Sequence, residues 1–342
     1  MRTLLDSAKL EFQQRFHRIH VFPIVALCLN NICDSRCGTC AIWKNNDLLK
    51  LAADRQMPEA LLRDLYELLA QWRPRQVLLS GGEPALHPSF TEVIWRVAAM
   101  RAAVCLITNG LLLNTFSPEE LRPVSEFYVS FDAPDRESYR EIRGVDGFDR
   151  LARSVQLLNS LAPRPKIIAR CTLQRRNVGR LGELIDVARQ FGFDMISFLG
   201  LDLSSEAFAL PVHGAMDAEK IRPNREDLEV MRADIDTIRS LTDGFVEGGA
   251  AKLKRLHQYF RALIGEADFP AVDCNAPWVS TVIETTGKIR GCFFQRVIGD
   301  FRTVNGSAAI RFRRSLNVAS DRICQRCVGN KMLRTREFIR MC

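Results

Sequence analysis

The stretch VFPIVALCLNNICDSRCGTC, residues 21–40, decides the fold because an apolar run is followed at once by three closely spaced cysteines. The β-branched run Phe22–Leu27 predicts a buried strand. Cys33, Cys37 and Cys40 then stand at positions i, i+4 and i+7 of a loop. Three thiolates at this spacing can converge on three corners of an iron–sulfur cubane. Zinc, which usually takes four ligands, remains open from the spacing alone, although iron is favoured.

The sequence beyond this stretch alternates strand and helix patterns, which predicts a parallel sheet with right-handed crossovers. The predicted strands are Phe22–Leu27, Gln76–Leu79, Ala103–Thr108, Glu126–Phe131, Lys166–Cys171 and Met195–Leu199. The predicted helices between them are Pro58–Trp72, Phe90–Met100, Pro118–Leu121, Phe148–Leu161 and Val178–Phe191. Six strands, not eight, predict an α/β fold with an open or partial (βα)6 barrel.

The chain is predicted to contain four segments: an N-terminal helical extension (1–20), an α/β core (21–202), a helical linker (203–272) and a small cysteine-rich domain (273–342). Two charged helices, Leu228–Leu241 and Gly249–Ile264, are expected in the linker. In the last segment, Val279–Glu284 and Lys288–Phe294 flank Gly287 and predict a β-hairpin.

Composition places the chain among ordinary globular proteins, with 342 residues of which 47% are hydrophobic and 26% charged. No apolar run is long enough to span a membrane, and no signal-peptide pattern stands at the N-terminus, so we expect a cytoplasmic protein. The net charge is +8, and many arginines lie near the C-terminus. Eleven cysteines in a cytosolic chain indicate metal or redox chemistry, because disulfides are rare in that compartment.

The first cysteine group is not isolated, because the sequence Ser80-Gly81-Gly82-Glu83-Pro84 ends the next predicted strand. Glycines at such a position let the backbone approach a neighbour closely. A CxxxCxxC loop followed by this motif resembles the radical S-adenosylmethionine (SAM) superfamily. The resemblance implies a [4Fe–4S] cluster on the three cysteines, with one iron free to chelate SAM, and a SAM-binding role for residues 80–83. Thr39 departs from the family pattern, which usually has an aromatic residue there.

The resemblance extends to later strand ends and implies further SAM contacts. Asn109 and Ser130 stand at the ends of the third and fourth strands, and Arg143 follows shortly after. Arg143 suits the SAM carboxylate or ribose, since its planar fork can bond two oxygens. Leu199, at the end of the sixth strand, is a candidate for packing on adenine. A turn role remains open for Ser130, a surface role for Arg143 and a core role for Leu199.

A second cysteine group consists of Cys274, Cys292, Cys324 and Cys327. Four thiolates around a hairpin suit structural zinc as well as a cluster. The arrangement resembles the twitch domain, a shortened SPASM domain, and that resemblance implies a second, auxiliary [4Fe–4S] cluster. Cys342 is then expected to be a free terminal thiol.

The resemblance implies radical cleavage of SAM, electron transfer through the auxiliary cluster, and a flavodoxin- or ferredoxin-type reductant. We expect oxidation of a small, sugar-like molecule, with crosslinking or epimerisation of a peptide as the alternative. Epimerisation would need a hydrogen-atom donor such as Cys171. Arg170 is a candidate catalytic residue because its charge would stabilise an alkoxide, and a salt bridge inside the barrel is the favoured alternative. His213 is a second candidate for action on substrate, and a place in a surface loop is its favoured alternative. A zinc protein that binds nucleic acid is the distant alternative.

Overall fold

The structure, a computed structural model, describes residues 9, 12–13, 15–203, 218–238, 243–327 and 329. Its strands are β1 Ile24–Asn30, β2 Gln76–Gly81, β3 Ala103–Thr108, β4 Val124–Ser130, β5 Lys166–Leu173, β6 Met195–Gly200, β7 Ser280–Ile283, β8 Lys288–Arg290 and β9 Val297–Asp300. They form one nine-stranded open sheet in the order β6-β5-β4-β3-β2-β1-β7-β8-β9. Strands β1 to β6 and β7 pair in parallel, whereas β8 and β9 are antiparallel.

Helices connect the parallel strands, as the alternating pattern predicts. The described helices of eight or more residues are α1 Glu59–Trp72, α2 Phe90–Ala99, α3 Arg136–Arg143, α4 Phe148–Ser160, α5 Leu181–Phe191, α6 Arg225–Ile238, α7 Gly249–Leu263 and α8 Ser307–Ser315. Shorter helices span Asn45–Leu48, Ala52–Arg55, Pro118–Leu121, Ala218–Ile221, Ala276–Val279 and Arg322–Gln325. Within the described part of the chain, no helix has the length and apolarity needed to cross a bilayer.

The predicted α/β fold with six core strands is confirmed. Helix α3 was not predicted, and several predicted elements differ from the structure at their ends. The first strand begins at Ile24 rather than Phe22, after Pro23, and continues to Asn30. Helix α5 begins at Leu181 rather than Val178. The side-chain oxygen of Asn177 accepts a hydrogen bond from the Gln174 amide at 2.8 Å, which holds the preceding residues in a turn.

The predicted C-terminal hairpin is present, but it does not form a sheet of its own. Strand β7 pairs in parallel with β1, from Ile24 opposite Ser280 to Leu27 opposite Ile283. Without β7, the β1 edge of the sheet would present unpaired backbone groups. The second hairpin strand ends at Arg290 rather than Phe294, and β9 was not predicted. His213 and Cys342, singled out in the sequence, lie outside the described residues.

The two faces of the core strands differ in character. On one face, alternate residues such as Val77, Leu106, Phe127 and Ala169 pack into the hydrophobic core with the helices. The residues between them point the other way, because successive side chains alternate across a strand. We call this second side the inner face; Arg170 lies on it.

Candidate functional site

The cysteine loop leaves the end of β1 and is tied directly to the end of β2. The Gly82 amide donates a hydrogen bond to the Asn30 carbonyl at 2.7 Å, and the Glu83 amide donates to the Ile32 carbonyl at 2.9 Å. The Asn30 side chain returns a bond from Nδ2 to the Glu83 carbonyl at 2.7 Å. Three hydrogen bonds therefore fix the chain immediately before Cys33.

This contact explains why the β2 end carries two glycines. A Cβ atom at Gly82 would lie 1.9 Å from the Ile32 carbonyl oxygen, and one at Gly81 would lie 2.4 Å from the Asn30 carbonyl oxygen. Gly81 also has a φ of +115°, which side-chain-bearing residues rarely adopt. The close approach observed is thus to the cysteine loop itself. A SAM-binding role for residues 80–83 remains a prediction.

The side chains of two residues that follow the cysteines in sequence, Trp43 and Asn46, hold the loop from its other side. The Asn46 side chain accepts a bond from the Cys33 amide at 3.1 Å and donates to the Cys33 carbonyl at 2.7 Å. The indole nitrogen of Trp43 donates to the Cys37 carbonyl at 3.3 Å. These roles could not be predicted from the sequence, because side-chain-to-backbone bonds within a loop leave no periodic pattern.

Asn109, at the end of β3, joins the cysteine loop to a buried carboxyl group. Its Nδ2 donates to Asp34 Oδ1 at 2.5 Å and lies 3.9 Å from Cys33 Sγ. Its backbone amide donates to Glu83 Oε2 at 2.8 Å, and Thr108 Oγ1 donates to the other oxygen at 2.8 Å. Burial raises the pKa of Glu83 to about 7, although these hydrogen bonds oppose the shift.

Helix α3 supplies the third anchor of the loop. The Arg36 amide donates to the Arg143 carbonyl at 2.9 Å, and the Gly38 amide donates to the Ile142 carbonyl at 3.2 Å. The Arg143 side chain is buried and forms an ion pair with Asp132 at 2.9 Å. Its guanidinium therefore already has a carboxylate partner, Asp132. The SAM contact of Arg143 remains a prediction.

The three thiols suit a cluster in their donor chemistry. Cys37 is buried and Cys33 and Cys40 are half-buried on the anchored loop. Burial raises the pKa of Cys40 to about 12, so metal binding must displace a proton. Across the described ranges, no three His, Cys, Asp or Glu side chains are close enough together to hold a single metal ion. A cubane is larger than one ion, and three thiols from one loop fit three of its corners.

In the second cysteine group, Cys292 lies near enough to each of the other three thiols for their charges to interact. Burial raises the pKa of Cys292 to about 12, and the nearby Cys327 and Cys274 add to that rise. The pKa of Cys324 is also raised by burial, and the charge of Cys292 adds to that rise. The Gln295 side chain donates to Cys324 Sγ at 3.3 Å, a contact of the kind that tunes cluster potentials. Four thiols are the number that a four-thiolate cluster requires, and ligation of a second cluster by these cysteines remains a prediction.

The remaining predicted site residues lie along the inner face. Ser130, the last residue of β4, is opposite Arg170 on β5, and both are half-buried. Leu199 on β6 is half-buried and opposite Thr172. Cys171 points the other way, into the core, so it does not line this face.

The other buried strand cysteine, Cys105 on β3, lies on the opposite face of the sheet from Cys171. Cys105 is buried but lies on the inner face, where the Gln76 side chain donates to its sulfur at 2.7 Å. Its sulfur lies 3.8 Å from Glu126 Oε2. Strand alternation alone, applied to β3, would have separated this residue from the helix-packed core.

Curated proteins resemble this chain over part of their length. The molybdenum cofactor biosynthesis protein moc-5 of Caenorhabditis elegans is 24% identical over 188 residues, covering 54% of this chain and 30% of that protein. The GTP 3′,8-cyclase of Chlorobaculum tepidum is 27% identical over 237 residues, covering 65% of this chain and 66% of the cyclase. The chain thus spans between about a third and two thirds of these relatives.

Solved structures share the fold over nearly the whole chain. Streptococcus suis SuiB bound to S-adenosylmethionine has a TM-score of 0.65 at 15% identity, covering 95% of this chain and 76% of SuiB. Native anSMEcpe with bound AdoMet has a TM-score of 0.59 at 13% identity, covering 93% and 94%. The Radical SAM superfamily model matches residues 27–197, which is half of the 342-residue sequence and includes the anchored cysteine loop. The chain therefore belongs to the Radical SAM superfamily.

Proposed function

We propose that this protein cleaves SAM with a [4Fe–4S] cluster on Cys33, Cys37 and Cys40 and uses the resulting radical to oxidise a substrate. The observation that carries the proposal is the cysteine loop, whose three thiols stand on backbone fixed by β2, β3 and α3. When bound and reduced, such a cluster supplies the electron that splits SAM into methionine and a 5′-deoxyadenosyl radical. SAM-bound structures of SuiB and anSMEcpe support SAM as the co-substrate.

The protein's own groups would hold and shield the reactants. Gly81, Gly82 and Glu83 would border the SAM amino group, and Asn109, Ser130 and Leu199 would border the nucleoside. Arg143 would add positive charge near the cluster loop, while its pairing with Asp132 keeps the guanidinium in place.

Net oxidation is favoured by the second thiol group. We propose that Cys274, Cys292, Cys324 and Cys327 hold an auxiliary [4Fe–4S] cluster, and a fully thiolate-ligated cluster supplies electron transfer. Loss of a hydrogen atom, a proton and an electron makes the substrate reaction a two-electron oxidation. The same assignment requires an external flavodoxin- or ferredoxin-type donor for the SAM-cleaving electron.

The substrate class has two candidates besides a small sugar-like molecule. SuiB has also been solved bound to the precursor peptide SuiA, and anSMEcpe with a Cp18Cys peptide, which favours a peptide. The relatives named GTP 3′,8-cyclase favour a nucleotide. Incubation of the reduced protein with each class, followed by mass spectrometry of the product, separates them: a loss of 2 Da indicates oxidation.

The cluster assignment is tested by replacing Cys33, Cys37 and Cys40 together with serine. After anaerobic reconstitution we expect about eight irons in the wild type and about four in the variant. The variant should no longer form 5′-deoxyadenosine from SAM. Cys105→Ser, which changes a cysteine outside both groups, is the matched control and should retain about eight irons. Stoichiometric zinc in the wild type, or SAM cleavage by the triple variant, would refute the assignment.

A further inference from the structure

Arg170 occupies a central position on the inner face of the sheet. On β5 it alternates with Ala169 and Cys171, which pack into the hydrophobic core. Its neighbours in register are Ser130 on β4 and Ser197 on β6. Since Ser130 is the last residue of its strand, Arg170 lies just below the edge from which the cysteine loop and the other site loops emerge.

The guanidinium of Arg170 makes no hydrogen bond or ion pair within the described residues, and its contact is with the ring of Tyr128, 5.9 Å from the centroid. The nearby acids are already engaged. Glu126 accepts a bond from the Tyr128 hydroxyl at 2.9 Å, and Glu247 pairs with Lys252. Among the described residues, the fully buried polar atoms that lack a hydrogen-bond partner do not include any Arg170 nitrogen. The unpaired nitrogens of Arg170 are therefore accessible to solvent.

A half-buried arginine without an acceptor is costly, because its charge is partly desolvated and its donors are unused. Burial accordingly lowers the pKa of Arg170, yet an arginine stays protonated in proteins. The guanidinium lies 5.9 Å from the centroid of the Tyr128 ring, within the range of a cation–π contact. The planar fork therefore keeps donors that no acceptor among the described residues takes up.

We propose that Arg170 binds an anionic group of the substrate, a carboxylate or a phosphate, on the inner face below the cysteine loop. The fork of N–H donors matches two oxygens of either group. Calling the ligand a substrate rests on the proposed function; the anion site itself rests on the geometry of Arg170. Substrates that carry no negative charge are thereby disfavoured.

The test measures binding of inorganic pyrophosphate and of glutarate by calorimetry at low ionic strength, using protein reconstituted with iron, sulfide and SAM. We expect saturable binding of at least one anion, weakened about tenfold or more by Arg170→Gln. Lys166→Gln is the matched control, because it removes a positive charge from the exposed amino end of the same strand. It should leave binding within about twofold of the wild type. Pyrophosphate binding alone indicates a phosphate, and glutarate binding alone a carboxylate.

The proposal is overturned if neither anion binds saturably, or if Arg170→Gln binds as well as the wild type. A second measurement needs no variant: phenylglyoxal, which reacts with unpaired arginines, should modify Arg170 in the wild type, and the bound anion should protect it. Peptide mapping that finds Arg170 unmodified, or modified equally with and without anion, contradicts the proposal. Formation of 5′-deoxyadenosine without substrate, measured in parallel, reports on the proposed function and is expected to persist in the control variant Lys166→Gln.

Discussion

Replacing Gly82 with alanine should displace the cysteine loop, because the new Cβ would lie 1.9 Å from the Ile32 carbonyl oxygen and 2.6 Å from its carbon. Both atoms are backbone, so no side-chain rotation relieves the overlap. The segment must separate from the loop, which sacrifices the bonds from the Gly82 and Glu83 amides and from the Asn30 side chain. At about 0.5–1.5 kcal/mol each, three lost bonds reduce the free energy of unfolding by about 2–4 kcal/mol.

Such a loss is a large share of the roughly 5–15 kcal/mol that stabilises a typical domain. The assay is urea unfolding followed by circular dichroism, together with iron and sulfide content after anaerobic reconstitution. Gly82→Ala should unfold at lower urea and lose about half of its iron. Gly182→Ala is the matched control, because a Cβ there meets nothing within 4 Å and the residue lies in helix α5. It should raise stability by about 0.5–1 kcal/mol. Wild-type iron content and an unchanged midpoint in Gly82→Ala would refute the reasoning.

Three further predictions concern buried polar groups. The pKa of Glu83 is about 7 in the folded protein against an ordinary 4.5, so the folded state keeps a proton that the unfolded chain releases between these values. The free energy of unfolding should therefore fall by about 1–3 kcal/mol as the pH rises from 4.5 to 7, and Glu83→Gln should flatten this slope in urea titrations. Asp132→Ala should cost about 3–5 kcal/mol, because Arg143 is left buried without its partner; Asp149→Ala, which breaks an exposed ion pair, should change stability by under about 1 kcal/mol. Arg313→Ala should lower the thermal midpoint, because the buried guanidinium bonds two backbone carbonyls that would lose their donors, and an unchanged midpoint would contradict this role.

The core strands could be predicted because each is a short apolar run bounded by turn residues. The run Ala103–Thr108, for example, was predicted with the bounds that the structure has. The parallel pairing of β7 with β1 could not be predicted in the same way. This pairing depends on which edge of the sheet is still unpaired after about 250 intervening residues, and the local sequence of β7 does not indicate that edge.

Some features of the candidate site could be predicted from the sequence, and others could not. The cysteine triplet and the glycine motif are visible because spacing and residue type carry the signal. The reason for the glycines is not visible, since it lies in backbone atoms of Asn30 and Ile32 that approach from another strand. The role of Asn46 could not be predicted for a related reason. Its two hydrogen bonds to Cys33 depend on the conformation of the intervening chain, which no sequence pattern indicates.

The two parts of the proposed site are held in place by different kinds of contact. Backbone hydrogen bonds from Gly82, Glu83, Arg36 and Gly38 position the cysteine loop, and the side chains of Asn46 and Trp43 hold it from the other side. The inner face is defined instead by side chains such as Arg170, which can change without moving any strand. Cluster assembly should therefore respond to glycine and backbone changes, whereas the choice of substrate should respond to inner-face side chains. A substitution at Arg170 that abolished iron binding would show that the two parts are not separable in this way.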